Sequence, residues 1–224
     1  MKKCRGFTLV ELLIVVAILA VLVGMLLPAL TRAKDLAKDV VCRHNLHNIW
    51  TPLRFYAEDW DGWLPKVCEG SDGQFYWETW NQMLTQYGKN RNGWMPPKTY
   101  TSPEIFNCGS YQFEYTRRGC YGMNGRMAQD EQGEGRWCSN GHYMLAETIK
   151  PADMYLIGDT KRVPPYGHNY QFSRGSWWCT ADFRHLEHAN VLFHDRHVES
   201  MSDSEVQAEA WQYLPWWNRE EYYR

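Results

Sequence analysis

The sequence predicts an α+β fold in which a long amino-terminal helix, membrane-spanning in its first half, packs on a small antiparallel-sheet head with long loops. Three observations predict it. An uncharged run extends from Leu12 to Leu30, and apolar residues continue at helical spacing as far as Ala57. Near the carboxyl end, short apolar segments are separated by turn residues, as in antiparallel strands.

The first element is a membrane-length helix over residues 7–30. The run from Leu12 to Leu30 would extend roughly 28 Å as a helix, close to the thickness of a bilayer core. The basic stretch from Lys2 to Arg5 precedes it, and positive flanks stay on the cytoplasmic side. One carboxylate, Glu11, lies at the start of the apolar segment, where a charge is costly and usually faces a partner.

The helix is expected to continue beyond the membrane over residues 31–58. Apolar residues at spacings of three, four or six predict one shared face, made of Leu36, Val40, Leu46, Trp50, Leu53 and Ala57. Pro28 and Pro52 lack an amide donor, so we expect a bend or a local loosening at both. Gly62 and Pro65 predict that the helix ends near Asp59.

The remaining residues, 59–224, are assigned to a head domain. They predict a short helix over 77–87, glycine-rich loops at 119–125 and 133–141, and strands over 105–108, 111–115, 144–147 and 154–158. Strands over 190–193 and 198–201 predict a hairpin. Ser202 and Glu205 predict a capping box for a helix over 203–213.

Composition and spacing argue against several functions. The net charge is −2 and no basic block follows Arg5, so no nucleic-acid partner is predicted. No metal site or cofactor is predicted, because a calcium loop at Asp59 to Gly62 lacks its later ligands. A group of histidines is a second candidate for a metal site, but alternate residues of a strand point to opposite faces, so these side chains would not converge on one ion. The group comprises His185, His188, His194 and His197. Without a nucleophile elbow, we predict no catalytic residue and no enzyme.

The tryptophans leave two functions open. All 12 lie beyond the membrane segment, where they would fill the core of the head or form a surface that stacks on sugars. The second option defines an alternative function, a membrane-anchored extracytoplasmic binding protein with an aromatic, carbohydrate-binding head.

The amino terminus resembles a known class of precursor. Lys-Lys-Cys-Arg-Gly followed by Phe-Thr-Leu-Val-Glu is similar to the leader and mature start of type IV prepilins and type II secretion pseudopilins. The resemblance implies a leader over residues 1–6, cleavage after Gly6 by prepilin peptidase, methylation of the new amino terminus at Phe7, and a role for Glu11 in assembly. A secretory signal peptide would have a shorter apolar core. A generic anchor would give no reason for Gly6 or Glu11.

Cysteine usage adds to this interpretation. Of the seven cysteines, Cys4 would leave with the leader, and an even set would remain outside the cytoplasm. Such a set predicts disulfides, with free buried thiols as the alternative. The candidates are Cys42, Cys68, Cys108, Cys120, Cys138 and Cys179.

Segments of the head resemble one branch of these proteins, whose heads carry a His-x9-Asp-Gly signature near the carboxyl end. His185 and Asp195 have the required spacing, and we expect a structural role for them, with a hydrogen bond between them that holds a loop to a strand. The signature glycine is replaced by Arg196, so either Arg196 is strained at the positive φ that an Asp-Gly hairpin requires, or the turn is of another type. Further matches are Tyr121 to Asn124, Ile157 to Asp159 and Ala189 to His194.

The resemblance implies a structural subunit of the cytoplasmic (inner) membrane, a single-pass protein whose leader is cytoplasmic and whose head is extracytoplasmic or periplasmic, or displayed on a filament. Its helix would assemble into a type IV pilus-like filament or a type II secretion pseudopilus. The implied partners are prepilin peptidase/N-methyltransferase, other pilin or pseudopilin subunits, the assembly platform and membrane lipid.

Overall fold

A computed structural model describes residues 8–65, 68–71, 74–85, 101–111, 120–124, 151–162, 171–172 and 179–206 of the chain. The chain divides into two compact units, Met1–Ala37 and Lys38–Arg224. A long apolar helix begins in the first unit, and a small, mainly antiparallel sheet forms the second. The predicted α+β architecture is confirmed.

Helix α1 comprises Leu9–Asp59, and it includes both Pro28 and Pro52, so neither proline ends it. Its first part is long enough and apolar enough to cross a membrane, by length and composition. Side chains from Leu9 to Leu30 are exposed, as expected of a surface that lipid or other helices cover.

Within the Lys38–Arg224 unit, α1 contributes one face to the core. Leu46, Leu53 and Ala57 are buried there, as predicted. Val40 in this unit is instead exposed, at 57%, and so is Leu36 in the Met1–Ala37 unit, at 48%. The buried face follows a different row of residues, spaced three or four apart, which comprises Asp39, Cys42, Leu46, Ile49 and Leu53.

The end of α1 is confirmed at the predicted position. The carbonyl of Ala57 accepts hydrogen bonds from Trp60 N at 3.2 Å and from Gly62 N at 2.7 Å. Gly62 has a φ of 89°, which a side chain would disfavour. This glycine-terminated pattern closes the last turn and satisfies a terminal carbonyl.

A six-stranded sheet forms the centre of the head. Its strands are β3 (Tyr121–Asn124), β4 (Tyr155–Arg162), β5 (Gln171–Phe172), β6 (Cys179–Ala181), β7 (His188–Phe193) and β8 (Val198–Ser202). The order is β5-β3-β4-β7-β8, and β6 also pairs with β4. Only β3 and β5 pair in parallel among the described strands.

Smaller elements accompany the sheet. A hairpin of β1 (Cys68–Ser71) and β2 (Gln74–Thr79) is followed by α2 (Trp80–Thr85), which lies inside the predicted helix. The strand predicted over 105–108 is wrong, because Ser102 caps a 3-10 helix, Pro103–Phe106, that starts with proline. The loop predicted over 119–125 is also wrong, since β3 lies there with every side chain buried.

The carboxyl-terminal hairpin is confirmed, with Ala189 opposite Met201 and Leu192 opposite Val198. The predicted capping box also forms, because Ser202 N donates to Glu205 Oε2 at 2.7 Å and Glu205 N donates to Ser202 Oγ at 3.4 Å. Predictions over 112–119, 125–150 and 207–213 fall outside the described residues.

Candidate functional site: the amino-terminal carboxylate and the buried polar cluster of the head

The processing residues Gly6 and Phe7 lie outside the described part of the chain. Glu11 lies in the first turn of α1 and contacts Thr8. Its Oε2 atom accepts hydrogen bonds from Thr8 N at 2.9 Å and from Thr8 Oγ1 at 2.8 Å, and Glu11 N donates to Thr8 Oγ1 at 3.3 Å. These bonds form a reciprocal capping box at the start of α1.

This geometry gives Glu11 a local role beside the predicted one. A carboxylate at a helix amino terminus is stabilised by the unpaired amides and by the helix dipole. Glu11 is therefore held in a defined position at the beginning of the apolar helix. A substitution that removes only the charge must keep this cap if it is to report on assembly.

A second group of polar side chains is buried in the head around Asp159. This residue lies on β4, and none of its surface is exposed. Asp159 Oδ1 pairs with Arg184, and Asp159 Oδ2 accepts a hydrogen bond from Asn190 N at 2.8 Å. Burial raises the pKa of Asp159, and the Arg184 guanidinium opposes that shift. All of these contacts are donors, so the geometry is that of a carboxylate.

Arg184 connects this carboxylate to the surrounding backbone. Its Nη1 donates to Thr160 O and to Asp182 Oδ2, both at 3.1 Å, and its Nη2 donates to Cys120 O at 2.8 Å. The guanidinium carbon lies 5.1 Å from the Tyr111 ring centroid. Burial alone would lower the pKa of Arg184, but the neighbouring carboxylates outweigh burial and raise it. Arg184 is therefore a buried, fully charged partner.

The ring of His185 is buried between sulfur and two carboxylates. His185 Nε2 lies 3.4 Å from Cys108 Sγ and 3.5 Å from Asp159 Oδ2, and Nδ1 lies 3.8 Å from Asp39 Oδ1. Burial lowers the pKa of His185, and the two carboxylates oppose the shift. The ring is consequently neutral at pH 7.

The predicted hydrogen bond between His185 and Asp195 is wrong. Asp195 is exposed in the turn after β7, where its carboxylate accepts from His197 N at 3.1 Å and contacts the His197 ring. The physical reason is the extended strand between the two residues. The six residues of β7 span roughly 20 Å, so residues that flank the strand cannot meet.

Asn190 and Asp39 join the cluster to α1. Asn190 Nδ2 donates to Asp39 Oδ1 at 2.7 Å, and Asp39 Oδ2 pairs with Arg43 at 2.9 Å. Asn190 is on β7 and Asp39 on α1, so the carboxylate ties this part of the helix to the sheet. Sequence reasoning missed Asp39, although it is spaced three residues before Cys42 on the buried row.

The disulfide prediction is confirmed for one pair. Cys42 on α1 is joined to Cys108, across a sequence separation of 66 and a Cα–Cα distance of 5.6 Å. Cys120 is a free buried thiol, so its predicted alternative holds. Burial raises the pKa of the Cys120 thiol. The side chains of Cys68 and Cys179, and all of Cys138, lie outside what the structure describes.

The cluster is thus built for structure rather than for covalent chemistry. Cys108 is in a disulfide, and the raised pKa of Cys120 keeps it protonated, so neither sulfur offers a thiolate nucleophile near His185. The disulfide attaches α1 to the segment after the 3-10 helix, and Asp39 attaches it to the sheet. His185 fills the space between them.

Two comparisons with known proteins give matches, and the first concerns the amino terminus. Residues 1–27 match the family model of the prokaryotic N-terminal methylation motif. The chain is also 51% identical over 41 residues to "Type IV wide pilus major component PilA4" of Thermus thermophilus. That match covers 18% of this chain and 31% of the relative, so the chain spans about a third of the curated relative's length. No solved structure matches the chain.

Proposed function

We propose that this chain, whose methylation motif and similarity to a type IV pilin support the type IV pilin and pseudopilin family, is a structural subunit of a membrane-anchored filament. Prepilin peptidase would cut after Gly6 and methylate Phe7. The mature subunit would remain in the cytoplasmic membrane through α1, with its head outside the cytoplasm, until the assembly platform incorporates it. The filament is a type IV pilus-like fibre or a secretion pseudopilus.

The observation that carries this proposal is the methylation motif in residues 1–27, which includes most of the exposed apolar part of α1. A protein that only lost a short leader and was otherwise polar would not require an exposed apolar helix. In a filament, the apolar side chains from Leu12 to Leu30 would be covered by other copies when they leave the lipid.

Glu11 provides a physical basis for the register in which neighbouring subunits dock. After cleavage, the amino group of Phe7 is a cation, and a neighbouring subunit's Glu11 is a fixed anion in an apolar environment. Opposite charges attract strongly at low dielectric, whereas either charge alone is costly there. Subunits would therefore dock in the one register that pairs amine with carboxylate.

Two variants separate this charge from the helix cap. Glu11→Gln removes the charge but retains a side-chain acceptor for Thr8, as in capping boxes that use glutamine. Thr8→Ala removes the hydroxyl and leaves the carboxylate. We expect Glu11→Gln to reach the membrane at wild-type level and to be lost from sheared filaments, and Thr8→Ala to be incorporated.

The measurement is immunoblotting of membrane and sheared-filament fractions from the native host. Glu104→Ala, which removes an exposed carboxylate of the head, is the control. Incorporation of Glu11→Gln at the level of that control would contradict the charge mechanism. Processing is tested separately by mass spectrometry of the mature amino terminus. A chain that retains residues 1–6 in its native membrane would contradict the proposed cleavage.

A further inference from the structure

The turn between β7 and β8 holds an arginine in a backbone conformation that favours glycine. Arg196 occupies the glycine position of the His-x9-Asp-Gly signature and has a φ of 80°. Its side chain is exposed, so no core packing compensates for the strain. A non-glycine residue in this region costs on the order of 1 kcal/mol or more, and such outliers are often tied to function.

The Arg196 side chain extends over α1. Its guanidinium carbon lies 5.7 Å from the ring centroid of Trp50, and the indole Nε1 donates to His194 O at 3.3 Å. Arg54 lies at the same distance, 5.7 Å, from the Trp50 ring. The indole therefore links the turn to the helix and holds the Arg196 cation beside α1.

The charges around Trp50 do not balance within the described part of the chain. Arg54 pairs with Glu58 at 3.0 Å, and the Asp195 carboxylate contacts His197. Two carboxylates beside the turn and the helix are thus already matched with bases.

Three bases remain without a carboxylate partner among the described residues: Arg196, His44 and His47. Both histidines lie on α1 within two turns before Trp50, whose ring the Arg196 guanidinium approaches to 5.7 Å. Burial first and then the charges of Arg196 and His44 lower the pKa of His47. Arg196 is therefore the permanent cation of this surface, and an anionic group placed beside it would also favour the protonated form of the neighbouring imidazoles.

The same side of α1 carries apolar residues that the head leaves uncovered. Val40 and Phe55 are 57% and 49% exposed. The residues on this side recur every three or four positions and so share a helix face, which comprises Val40, His44, His47, Thr51 and Phe55. A surface with apolar residues at its ends, imidazoles between them and the Arg196 cation beside them fits a protein partner that presents both apolar area and a carboxylate.

We propose that this cationic face, formed by His44, His47 and Arg196 with Val40 and Phe55, docks a second copy of the chain through a carboxylate of that copy. The inference rests on the proposed filament, which brings copies together along α1. The chain itself offers suitable anions. Exposed carboxylates without a hydrogen-bond or ion-pair partner among the described residues include Asp61, Asp153, Glu187 and Glu199.

The test places a photo-crosslinking amino acid at Thr51, an exposed position on the cationic face, in the full chain in its native membrane. We expect a self-adduct whose mapped peptide contains an exposed carboxylate. Arg196→Gln removes the charge but keeps the backbone strain, and Arg196→Gly removes both. Both should lower the adduct yield several-fold. Rising salt should lower the wild-type yield, because exposed charges are screened.

Lys161→Gln is the matched control, since it removes an exposed cation from β4. Equal adduct yields for the Arg196 variants and Lys161→Gln would overturn the inference, as would an adduct with a different protein. Sheared filaments distinguish the two proposals. If the wild-type chain is in filaments but gives no self-adduct from Thr51, only the docking inference fails. If the chain is in neither filaments nor self-adducts, the proposed function fails as well.

Discussion

At the scale of single residues, the buried pair of Asp159 and Arg184 should matter most to stability. Removing one partner leaves a buried charge unmatched, which costs about 3 to 5 kcal/mol, whereas an exposed pair contributes less than about 1 kcal/mol. We therefore expect Arg184→Ala to lower the free energy of unfolding by about 3 to 5 kcal/mol. Arg54→Ala, which breaks the exposed pair with Glu58, should change it by less than about 1 kcal/mol.

Urea unfolding of the full chain in detergent, followed by tryptophan fluorescence, measures both free energies. Similar losses for the two arginine variants would mean that the Arg184 side chain contributes no more than a surface cation. Asp159→Asn addresses the same pair from its other side. It should also be strongly destabilising, because it leaves Arg184 without its main anion.

The buried ring of His194 predicts a pH dependence of stability. Burial lowers the pKa of His194 to about 3, whereas the unfolded chain protonates this ring near pH 6.5. Between these values the unfolded state binds more protons, so stability is lost as the pH falls from 6.5 towards 3. At pH 5 the loss from this residue is roughly 2 kcal/mol.

His194→Gln removes this titration. We expect its free energy of unfolding, measured at a series of pH values, to fall less steeply below pH 6.5 than that of the wild type, by close to one proton. Other groups contribute equally to both curves and cancel in the comparison. Parallel curves would show that His194 is accessible to protons in the folded state.

Sequence reasoning identified most of the residues at these sites but not their contacts. Arg196 was expected to be strained at a glycine position or to lie in another type of turn, and its positive φ confirms the first alternative. His185 was expected to bond Asp195, yet it lies between Asp159 and Asp39. Spacing along the chain shows which residues recur together, whereas the partner of a side chain depends on which strands become neighbours.

At the scale of elements, local signals were the reliable ones. The β7–β8 hairpin and the Ser202–Glu205 capping box were predicted because their contacts lie within a few residues. The segment Tyr121–Asn124 was taken for a loop because of its glycine, but it is buried between β4 and β5. Its strand conformation depends on distant partners that no local pattern reveals.

The turn before β7 contains backbone strain that two substitutions should relieve. Leu186 and Glu187 have φ values of 52° and 69°, between His185 and His188, whose backbones exchange two hydrogen bonds. Two positive φ values in a two-residue turn favour Asn-Gly. Leu186→Asn with Glu187→Gly should raise the free energy of unfolding by about 1 to 2 kcal/mol.

Leu186→Ala with Glu187→Ala is the control for this turn, because it shortens both side chains and leaves the positive φ values in place. It should give no gain. Urea unfolding of the two double variants measures the difference. An equal gain for both would assign the effect to the side chains rather than to the backbone.

The disulfide is a further element-scale link, because it closes a long loop between α1 and the segment after the 3-10 helix. For a sequence separation of 66, the loss of loop entropy in the unfolded chain corresponds to roughly 4 kcal/mol of stabilisation. We expect Cys42→Ala with Cys108→Ala to lose about that amount. Cys120→Ala, which removes a free buried thiol, should lose about 1 kcal/mol.

Unfolding in the absence of reductant measures these free energies. A control with reductant should bring the wild type close to the double alanine variant and leave that variant unchanged. If reductant has no effect on the wild type, the bond between Cys42 and Cys108 does not contribute to stability.

At the scale of the whole molecule, the two units differ in role. The apolar helix of the first unit fits a membrane anchor, and the second unit forms the folded head. The amino-terminal helix could be predicted from its apolar run, because a membrane requires a long uncharged segment. The order of strands in the head was not predictable, because β4 lies beside β3, β6 and β7, which come from distant parts of the chain. Such non-local pairings leave only weak traces in any one segment.

This division predicts that the head folds without the apolar helix. Every buried core residue in the described part of the chain lies at or beyond Cys42, and the buried Asp39 is also in the Lys38–Arg224 unit. A chain that begins at Lys38 should therefore keep the disulfide and unfold cooperatively, with a free energy within about 1 kcal/mol of the full chain in detergent. It should be recovered in the aqueous fraction, whereas the full chain partitions with membranes.

A matched chain that begins at Leu46, and so lacks both Asp39 and Cys42, should not fold stably. Equal behaviour of the two truncated chains would show that the attachments of α1 through Asp39 and Cys42 are not needed by the head.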